Sequence, residues 1–184
     1  MELVRPTLEH AESFLSARDR GFSFDMNPDP EAIAQLTAEI RRDAAAYVAS
    51  LNDRDPIGRT VTLADGSQAP RLPQETRWMW DGEFAGSISF RWQPGTDTLP
   101  DHVLGHIGYA VVEWRRGLGY AKQALYDILD LPRAEGMRQV ELTTNVDNIA
   151  SQRVILANGG VFVGTRNRPM SQGGEPLHYY VIAL

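Results

Sequence analysis

A predicted strand, a basic turn with two glycines and a predicted helix follow one another at residues 111–121, and this order can bind a phosphate group. Val111 and Val112 precede two arginines, and Gly117 and Gly119 stand where the helix begins. The first amides of a helix have no partner within it and lie at the positive end of its dipole. Glycine lets a ligand approach them without a Cβ in the way, and an arginine adds charge-assisted hydrogen bonds. The segment therefore predicts a phosphate or pyrophosphate site.

Two common phosphate motifs do not fit this segment. A P-loop needs a lysine and a serine or threonine directly after its last glycine, and this turn has neither. A dinucleotide fingerprint needs a third glycine where Lys122 stands. The incomplete fingerprint and the helical pattern of the first third of the chain disfavour a nucleotide-binding oxidoreductase.

The turn and two flanking blocks together resemble the GNAT superfamily of acyl-CoA-dependent N-acyltransferases. Residues 116–121, Arg-Gly-Leu-Gly-Tyr-Ala, match that family's Arg/Gln-x-x-Gly-x-Gly/Ala signature. Residues 106–111 resemble its fourth strand, and residues 148–162 resemble its Asn-x-x-Ala/Ser helix and closing Gly-Phe. The order and spacing hold over residues 74–184. Residues 1–73 match loosely, as the family's variable helical region over the acceptor site.

The resemblance implies a fold and a set of residues for the co-substrate acetyl-CoA. The fold is an α/β (α+β) domain, with a twisted mixed sheet of about six or seven strands that is split in the middle and flanked by helices. The pantetheine arm enters the split, where backbone N–H groups polarise the thioester carbonyl. The implied binding residues are Ala110, Val111 and Val112 in the split, Arg116, Gly117, Leu118, Gly119, Tyr120 and Ala121 at the pyrophosphate, and Asn148, Ser151 and Arg153 along the pantetheine.

The implied reaction is transfer of an acetyl group to a primary amine, which attacks the thioester directly in a ternary complex. An alkyl ammonium has a pKa of about 10 and must lose a proton before it attacks, so a general base is needed. His106, Glu83 and Glu113 are the candidates, and Glu141 lies in a predicted strand whose facing the sequence leaves open.

One position departs from the family pattern. Many members carry a tyrosine seven residues after the asparagine, where it protonates the leaving thiolate, and this chain has Ile155 there. A thiol has a pKa near ~8.5, so such an acid helps without being indispensable. Tyr109 and Tyr120 are not obvious substitutes. The departure keeps a second function open, an acetyl-CoA-binding sensor or regulatory module with little catalysis.

Apolar periodicity and turn residues predict the elements that position these residues, and their alternation indicates an α/β or α+β domain. Helices are predicted at residues 7–17, 31–51, 120–131 with Pro132 as the stop, and 148–157 with Asn158-Gly159-Gly160 as the stop. Strands are predicted at residues 60–63, 78–80, 84–90, 105–112, 139–144, 161–163 and 178–182. Turns are predicted at Asn27-Pro28-Asp29-Pro30, Asp65-Gly66 and Asp81-Gly82.

Length and cysteine content limit the class of protein. The 184 residues fit one domain, in which residues 1–73 form the acceptor-side region and residues 74–184 the acyl-CoA-binding core. The absence of cysteine excludes disulfides and thiolate metal sites. The four histidines are widely spaced and predict no metal site.

Charge and hydropathy limit the partners. The chain has 18 basic against 24 acidic residues and a net charge of −6. This balance disfavours nucleic acid and agrees better with a cationic or neutral acceptor, either a small molecule or a protein N-terminus. The sequence contains neither a signal-peptide pattern nor a membrane-spanning run, so we expect no membrane partner and a cytoplasmic location. A homodimer is compatible with the family.

Overall fold

The computed structural model describes residues 1–24, 29–63, 66–168 and 174–184, so Asn27, Pro28 and Asp65 of the predicted turns lie outside the described residues. The strands are β1 (Glu2–Val4), β2 (Thr60–Thr62), β3 (Gln68–Pro70), β4 (Gln74–Trp80), β5 (Phe84–Arg91), β6 (Ile107–Val111), β7 (Gln139–Asn145), β8 (Val161–Asn167) and β9 (Pro176–Ala183). The helices are α1 (Leu8–Asp19), α2 (Pro30–Arg42), α3 (Ala44–Ser50), α4 (Tyr120–Ile128), α5 (Asp130–Ala134) and α6 (Ile149–Leu156). None of these helices is long and apolar enough to span a bilayer.

Seven strands form a sheet that is divided into two halves. The first half has the order β1-β4-β5-β6 and the second half has the order β7-β9-β8. The short strands β2 and β3 pair separately and antiparallel, and β2 corresponds to the strand predicted at residues 60–63. The predicted split sheet of six or seven strands flanked by helices is confirmed. All of its hydrogen-bonded strand pairs run antiparallel, and β6 and β7, which flank the split, form no ladder among the described residues.

Helices cover both faces of the first half-sheet. On one face, apolar side chains of α4 and α6, such as Leu125 and Ile155, pack against Ile88 of β5 and Leu142 of β7. This cluster spans both halves of the sheet. On the opposite face, α1 packs against the first half, with the rings of Phe14 and Trp78 stacked at 4.9 Å. The α4 and α6 side and the α1 side are therefore separate environments.

Two of the predicted helices have different ends in the structure. The helix predicted over residues 31–51 is divided into α2 and α3 because Asp43 leaves the helical conformation, and its carboxylate accepts a hydrogen bond from the Ala46 amide at 2.9 Å. Pro132 does not stop α4, which already ends at Ile128. Pro132 instead lies in the first turn of α5, where an amide hydrogen would have no helical partner.

Strand β1 was not predicted. It has three residues, too few to show an alternating pattern, and it forms by pairing with β4, where Leu3 lies opposite Met79. A distant partner therefore determines this strand more than its own sequence does.

The two half-sheets are joined at one end of the split. The His106 amide donates to the Glu141 carbonyl at 2.7 Å, and the Glu141 amide donates to Nδ1 of His106 at 2.9 Å. Gly105 precedes this joint with φ +78°, and a Cβ on it would lie 3.2 Å from both the Glu141 carbonyl and the Thr143 amide. Glycine is required here because the two backbone segments approach this closely.

We expect Gly105→Ala to lower the free energy of unfolding more than Gly95→Ala does, as measured by urea denaturation. Gly95 has the same φ of +78° but nothing within 4 Å of its Cβ position. The control therefore measures the backbone cost, about 1–2 kcal/mol, and Gly105→Ala adds about 1–3 kcal/mol of crowding at the joint. Equal losses in the two variants would contradict the close approach.

Candidate functional site

The turn between β6 and α4 presents unpaired amides to solvent. Gly117 and Gly119 have φ values of +79° and +81°, and a Cβ on either would meet nothing within 4 Å. The first helical hydrogen bond of α4 runs from the Gln123 amide to the Gly119 carbonyl, so the amides of residues 120–122 have no partner in the helix. Residues 116–119 are exposed, and the first turn of α4 carries no acidic side chain. The structure thus has a free helix N-terminus, which suits an anionic phosphate.

The side chain of Asp81, at the tip of the β4–β5 hairpin, fixes the position of this turn through its contacts with Tyr120 and Arg115. Asp81 accepts a hydrogen bond from the Tyr120 hydroxyl at 2.6 Å and forms an ion pair with Arg115 at 3.2 Å. Glu83 forms a second ion pair with Arg115 at 2.8 Å. The hydrogen bond to Asp81 raises the pKa of Tyr120 and keeps its hydroxyl protonated. The sequence indicated only a turn at Asp81, because its partners lie far along the chain.

The two arginines of the turn have different environments. Arg115 is held by the hairpin, as described above. Arg116 is exposed, forms no ion pair with a described acidic residue, and its Nε approaches the Val111 carbonyl at 3.4 Å. Arg116 is therefore the arginine that can contact a bound phosphate.

Strand β6 directs some of its backbone groups into the split. In an antiparallel ladder, alternate residues bond to the neighbouring strand and the others point away from it. The Val112 amide, expected to be available, instead donates to the Ala85 carbonyl at 3.0 Å. Ala110 lies two residues before Val112, so its amide also faces β5. The amides of Tyr109 and Val111, at the alternate positions, face the split. Of the three residues predicted to offer an N–H group there, Val111 remains.

A groove of about 630 Å³ runs beside the start of α4. This volume is within the range of ligand pockets. The lining residues are Met1, Leu118, Gly119, Tyr120, Lys122, Gln123, Tyr126, Asp127, Ala157 and Asn158. The groove is continuous with the glycine turn, so one extended ligand can contact both.

The sequence of residues 11–159 matches the family model described as Acetyltransferase (GNAT) family. This span is more than half of the chain. The chain belongs to the GNAT acetyltransferase family. No curated protein matches the sequence at a significant level.

Solved structures of GNAT proteins share the fold over nearly the whole chain. The microcin C7 self-immunity acetyltransferase MccE, in complex with acetyl-CoA and AMP, has a TM-score of 0.65 at 15% identity, covering 99% of this chain and 91% of that one. RimL, a ribosomal L7/L12 α-N-protein acetyltransferase in complex with coenzyme A, has 0.62 at 15%, covering 99% and 93%. Mycobacterium smegmatis RimJ has 0.59 at 17%, covering 98% and 80%. At these identities the similarity shows a common fold.

The residues implied along the pantetheine lie at the start of α6. Asn148 is the N-cap of this GNAT helix, and its Oδ1 accepts from the Ser151 amide at 3.0 Å. The Ser151 carbonyl accepts a hydrogen bond from the Tyr109 hydroxyl at 3.3 Å, and burial raises the pKa of Tyr109 to about 12. Arg153 is exposed. Tyr109, which was not an obvious substitute for the leaving-group acid in the sequence, therefore links β6 to α6 beside the split.

Ile155, at the position of the frequent GNAT tyrosine, belongs to the core. It is 1% exposed and packs in the cluster that joins α6 to the sheet. A Cβ on Gly160 would lie 2.4 Å from Cγ2 of Ile155, so this glycine is needed for close packing. The structure therefore gives Ile155 a packing role and leaves the leaving-group acid to another residue.

His106 lies in the joint and is poorly placed to act as a base. It is 1% exposed, and burial is the main cause that lowers its pKa to about 4. Since Nδ1 accepts from the Glu141 amide, the proton of the neutral ring lies on Nε2, which has no hydrogen-bond partner among the described residues. Its geometry is that of a neutral side chain that connects the two half-sheets.

The two glutamates proposed as bases from the sequence, Glu83 and Glu113, lie in environments that differ from that of Glu141. Glu83 is paired with Arg115, and Glu113 is exposed on the 3₁₀ turn at Glu113–Arg115. Glu141 is half-buried, and burial raises its pKa although Arg166 opposes this shift. Core residues Val140 and Leu142 face α4 and α6, so Glu141 faces the opposite side of the sheet. In the described parts of the chain, no cluster of three or more His, Asp or Glu side chains could hold a metal ion.

His106→Asn should make the protein less sensitive to mild acid. The folded pKa of His106, about 4, lies below the ordinary 6.5, so protonation favours the unfolded chain and stability falls as the pH drops below 6.5. Between pH 6.5 and pH 5 the protein should lose about 1.5 kcal/mol more than the variant, whose Oδ1 can still accept from the Glu141 amide. Urea denaturation at each pH measures this difference. Parallel stability curves would contradict a buried neutral imidazole.

Proposed function

We propose that this GNAT protein transfers an acetyl group from acetyl-CoA to a primary amine by direct attack in a ternary complex. The observation that carries the proposal is the exposed glycine turn with free α4 amides, located where the sheet splits. The solved relatives named above were determined with acetyl-CoA or coenzyme A, which supports the same co-substrate here.

Acetyl-CoA would lie on the α4 and α6 side of the split. The amides of residues 120–122, Arg116 and the two turn glycines would hold the pyrophosphate, and the neighbouring groove would take the nucleotide portion. Asn148 and Ser151 would line the pantetheine. The Tyr109 amide, which faces the split three residues from His106, would donate to the thioester carbonyl, where it stabilises the negative charge that develops during attack. The Val111 amide, farther along β6, would face the pantetheine arm.

The amine would then approach from the opposite face, where Glu141 lies. A general base needs a pKa near the working pH, and burial shifts Glu141 in that direction. We propose Glu141, which lies at the joint beside His106, as the group that accepts the proton of the attacking ammonium through water. Tyr109 would donate the proton to the leaving thiolate, since its hydroxyl lies beside the split and stays protonated.

Gly119→Asp should weaken acetyl-CoA binding at least about tenfold, or 1.4 kcal/mol, as measured by calorimetry. Aspartate tolerates positive φ, so its main effect is a negative charge at the pyrophosphate turn. Gly136→Asp is the matched control, because Gly136 has φ +74° and an open Cβ position but lies at the end of α5. The same loss of affinity in both variants would contradict a pyrophosphate site at Gly119.

A screen of amines for release of free thiol then tests transfer itself. Turnover that requires an amine supports the enzyme. Tight acetyl-CoA binding without turnover on any amine would favour the alternative, a sensor or regulatory module.

Glu141→Gln should lower kcat/KM about 100-fold at neutral pH, a usual effect for loss of a general base. The activity of the wild-type protein should rise with pH as Glu141 loses its proton, and the variant should keep only the rise that follows deprotonation of the amine itself, whose pKa is about 10. Glu113→Gln, at an exposed position, is the control. Tyr109→Phe should lower kcat and leave the affinity for acetyl-CoA unchanged. A rise with the same pH midpoint in Glu141→Gln as in the wild-type protein would exclude Glu141 as the base.

A further inference from the structure

Arg91, the last residue of β5, carries a positive charge that no described residue neutralises. Its guanidinium forms no ion pair or hydrogen bond with a described side chain, and its Nε is buried without a partner. Burial lowers its pKa, and no carboxylate opposes this shift. Arginine nevertheless stays charged in proteins. The residue as a whole is only half-buried, so a ligand can reach the end of the side chain.

Strand register places Arg91 on the face from which the amine would approach. Ile88 and Phe90 of β5 face α4 and α6, so Ser89 and Arg91 face the other side. Ser89 lies opposite Gly108 of β6, and Nη2 of Arg91 lies 3.4 Å from the position of a Cβ on Gly108. The guanidinium therefore lies over β6, one of the two strands that border the split.

Two more arginines lie on the same side of the second half-sheet. Arg166 of β8 lies over the ring of Tyr179 at 4.8 Å and is close enough to Glu141 to oppose the rise in pKa that burial causes there. Arg168 donates to Asn145 of β7 at 2.7 Å, and its buried Nε has no partner in the part of the chain that the structure describes. The acceptor face is thus locally basic although the whole chain has a charge of −6.

Removing part of a charged group from water without giving it a partner costs a folded protein free energy, so an apolar side chain at this half-buried position should not lower stability. Such a group is commonly explained by a function. We propose that Arg91 binds an anionic group, a carboxylate or a phosphate, on the amine that this protein acetylates. This inference rests on the proposed function and names the acceptor class that the sequence did not give. It also revises the expectation of a cationic or neutral acceptor.

Recognition and proton transfer would then use different residues. The guanidinium holds the anion with paired hydrogen bonds, and Glu141, at the joint, receives the proton of the amine through water. An anionic acceptor leaves Arg91 paired in the ternary complex, whereas a neutral analogue leaves it unpaired. Sites of this kind discriminate strongly against analogues that lack the recognised group.

The test compares acceptors that differ only in the anion. The pairs are β-alanine with 3-aminopropanol, phosphoethanolamine with ethanolamine, and an Ala-Asp-Ala amide with an Ala-Asn-Ala amide. We expect kcat/KM to favour the anionic member of at least one pair by tenfold or more. The carboxylate and phosphate pairs show which anion is bound. A preference below twofold in every pair overturns the proposal.

Three variants identify the residue responsible. Arg91→Gln should reduce the preference to near one, through a higher KM, with acetyl-CoA affinity unchanged. Arg91→Met should lose the preference equally and unfold at an equal or higher Tm, by up to about 3 °C. Arg138→Gln, which removes an exposed positive charge outside the site, should keep the preference. A preference that survives Arg91→Gln overturns the proposal, and so does a lower Tm in Arg91→Met.

Failure of the proposed function can be distinguished from failure of this inference. If the protein does not turn over any amine, calorimetry with succinate and with inorganic phosphate still tests Arg91. Binding of either anion that is lost in Arg91→Gln supports an anion site at Arg91. No binding of either anion then overturns the inference.

Discussion

The hydrogen bonds between His106 and Glu141 determine how the two halves of the sheet meet, and the site depends on this joint. On one side of the joint the strands touch backbone to backbone, and on the other they separate. Separation leaves the outward amides of β6 without a strand partner, which is what a ligand in the split would need. Gly105 permits this contact, and a buried neutral histidine completes it.

The two faces of the sheet have different charge and different supports. On the α4 and α6 side, a helix N-terminus and Arg116 attract phosphate, and Asp81 and Glu83 fix the turn without entering it. On the other side, Arg91 and Glu141 are set apart on the two half-sheets. A net charge of −6 hides this local separation, because the acidic residues that support the turn are counted with those on the surface.

The sequence predicted the features that depend on residues close together in the chain. The glycines of the turn and the Asn158-Gly159-Gly160 helix end were readable because the groups they serve lie within a few residues. The break at Asp43 was missed because an alternative cap competed with a continuous apolar pattern. The roles of His106, Asp81 and Arg91 depend on residues 34 to 39 positions away or on the absence of a partner. Spacing along the chain cannot show these relations.

The joint also sets the position of the far end of β6, because a small change of angle at the joint is amplified along the strand. Val111 lies five positions after His106, a distance of about 16 Å in an extended strand. A change of about 5° in the angle between β6 and β7 would move the far end of β6 by about 1.4 Å, and misplacement by 1 Å can cost about 100-fold in rate. Substitutions around Gly105 can therefore tune the rate from a distance, without altering any group that contacts a substrate.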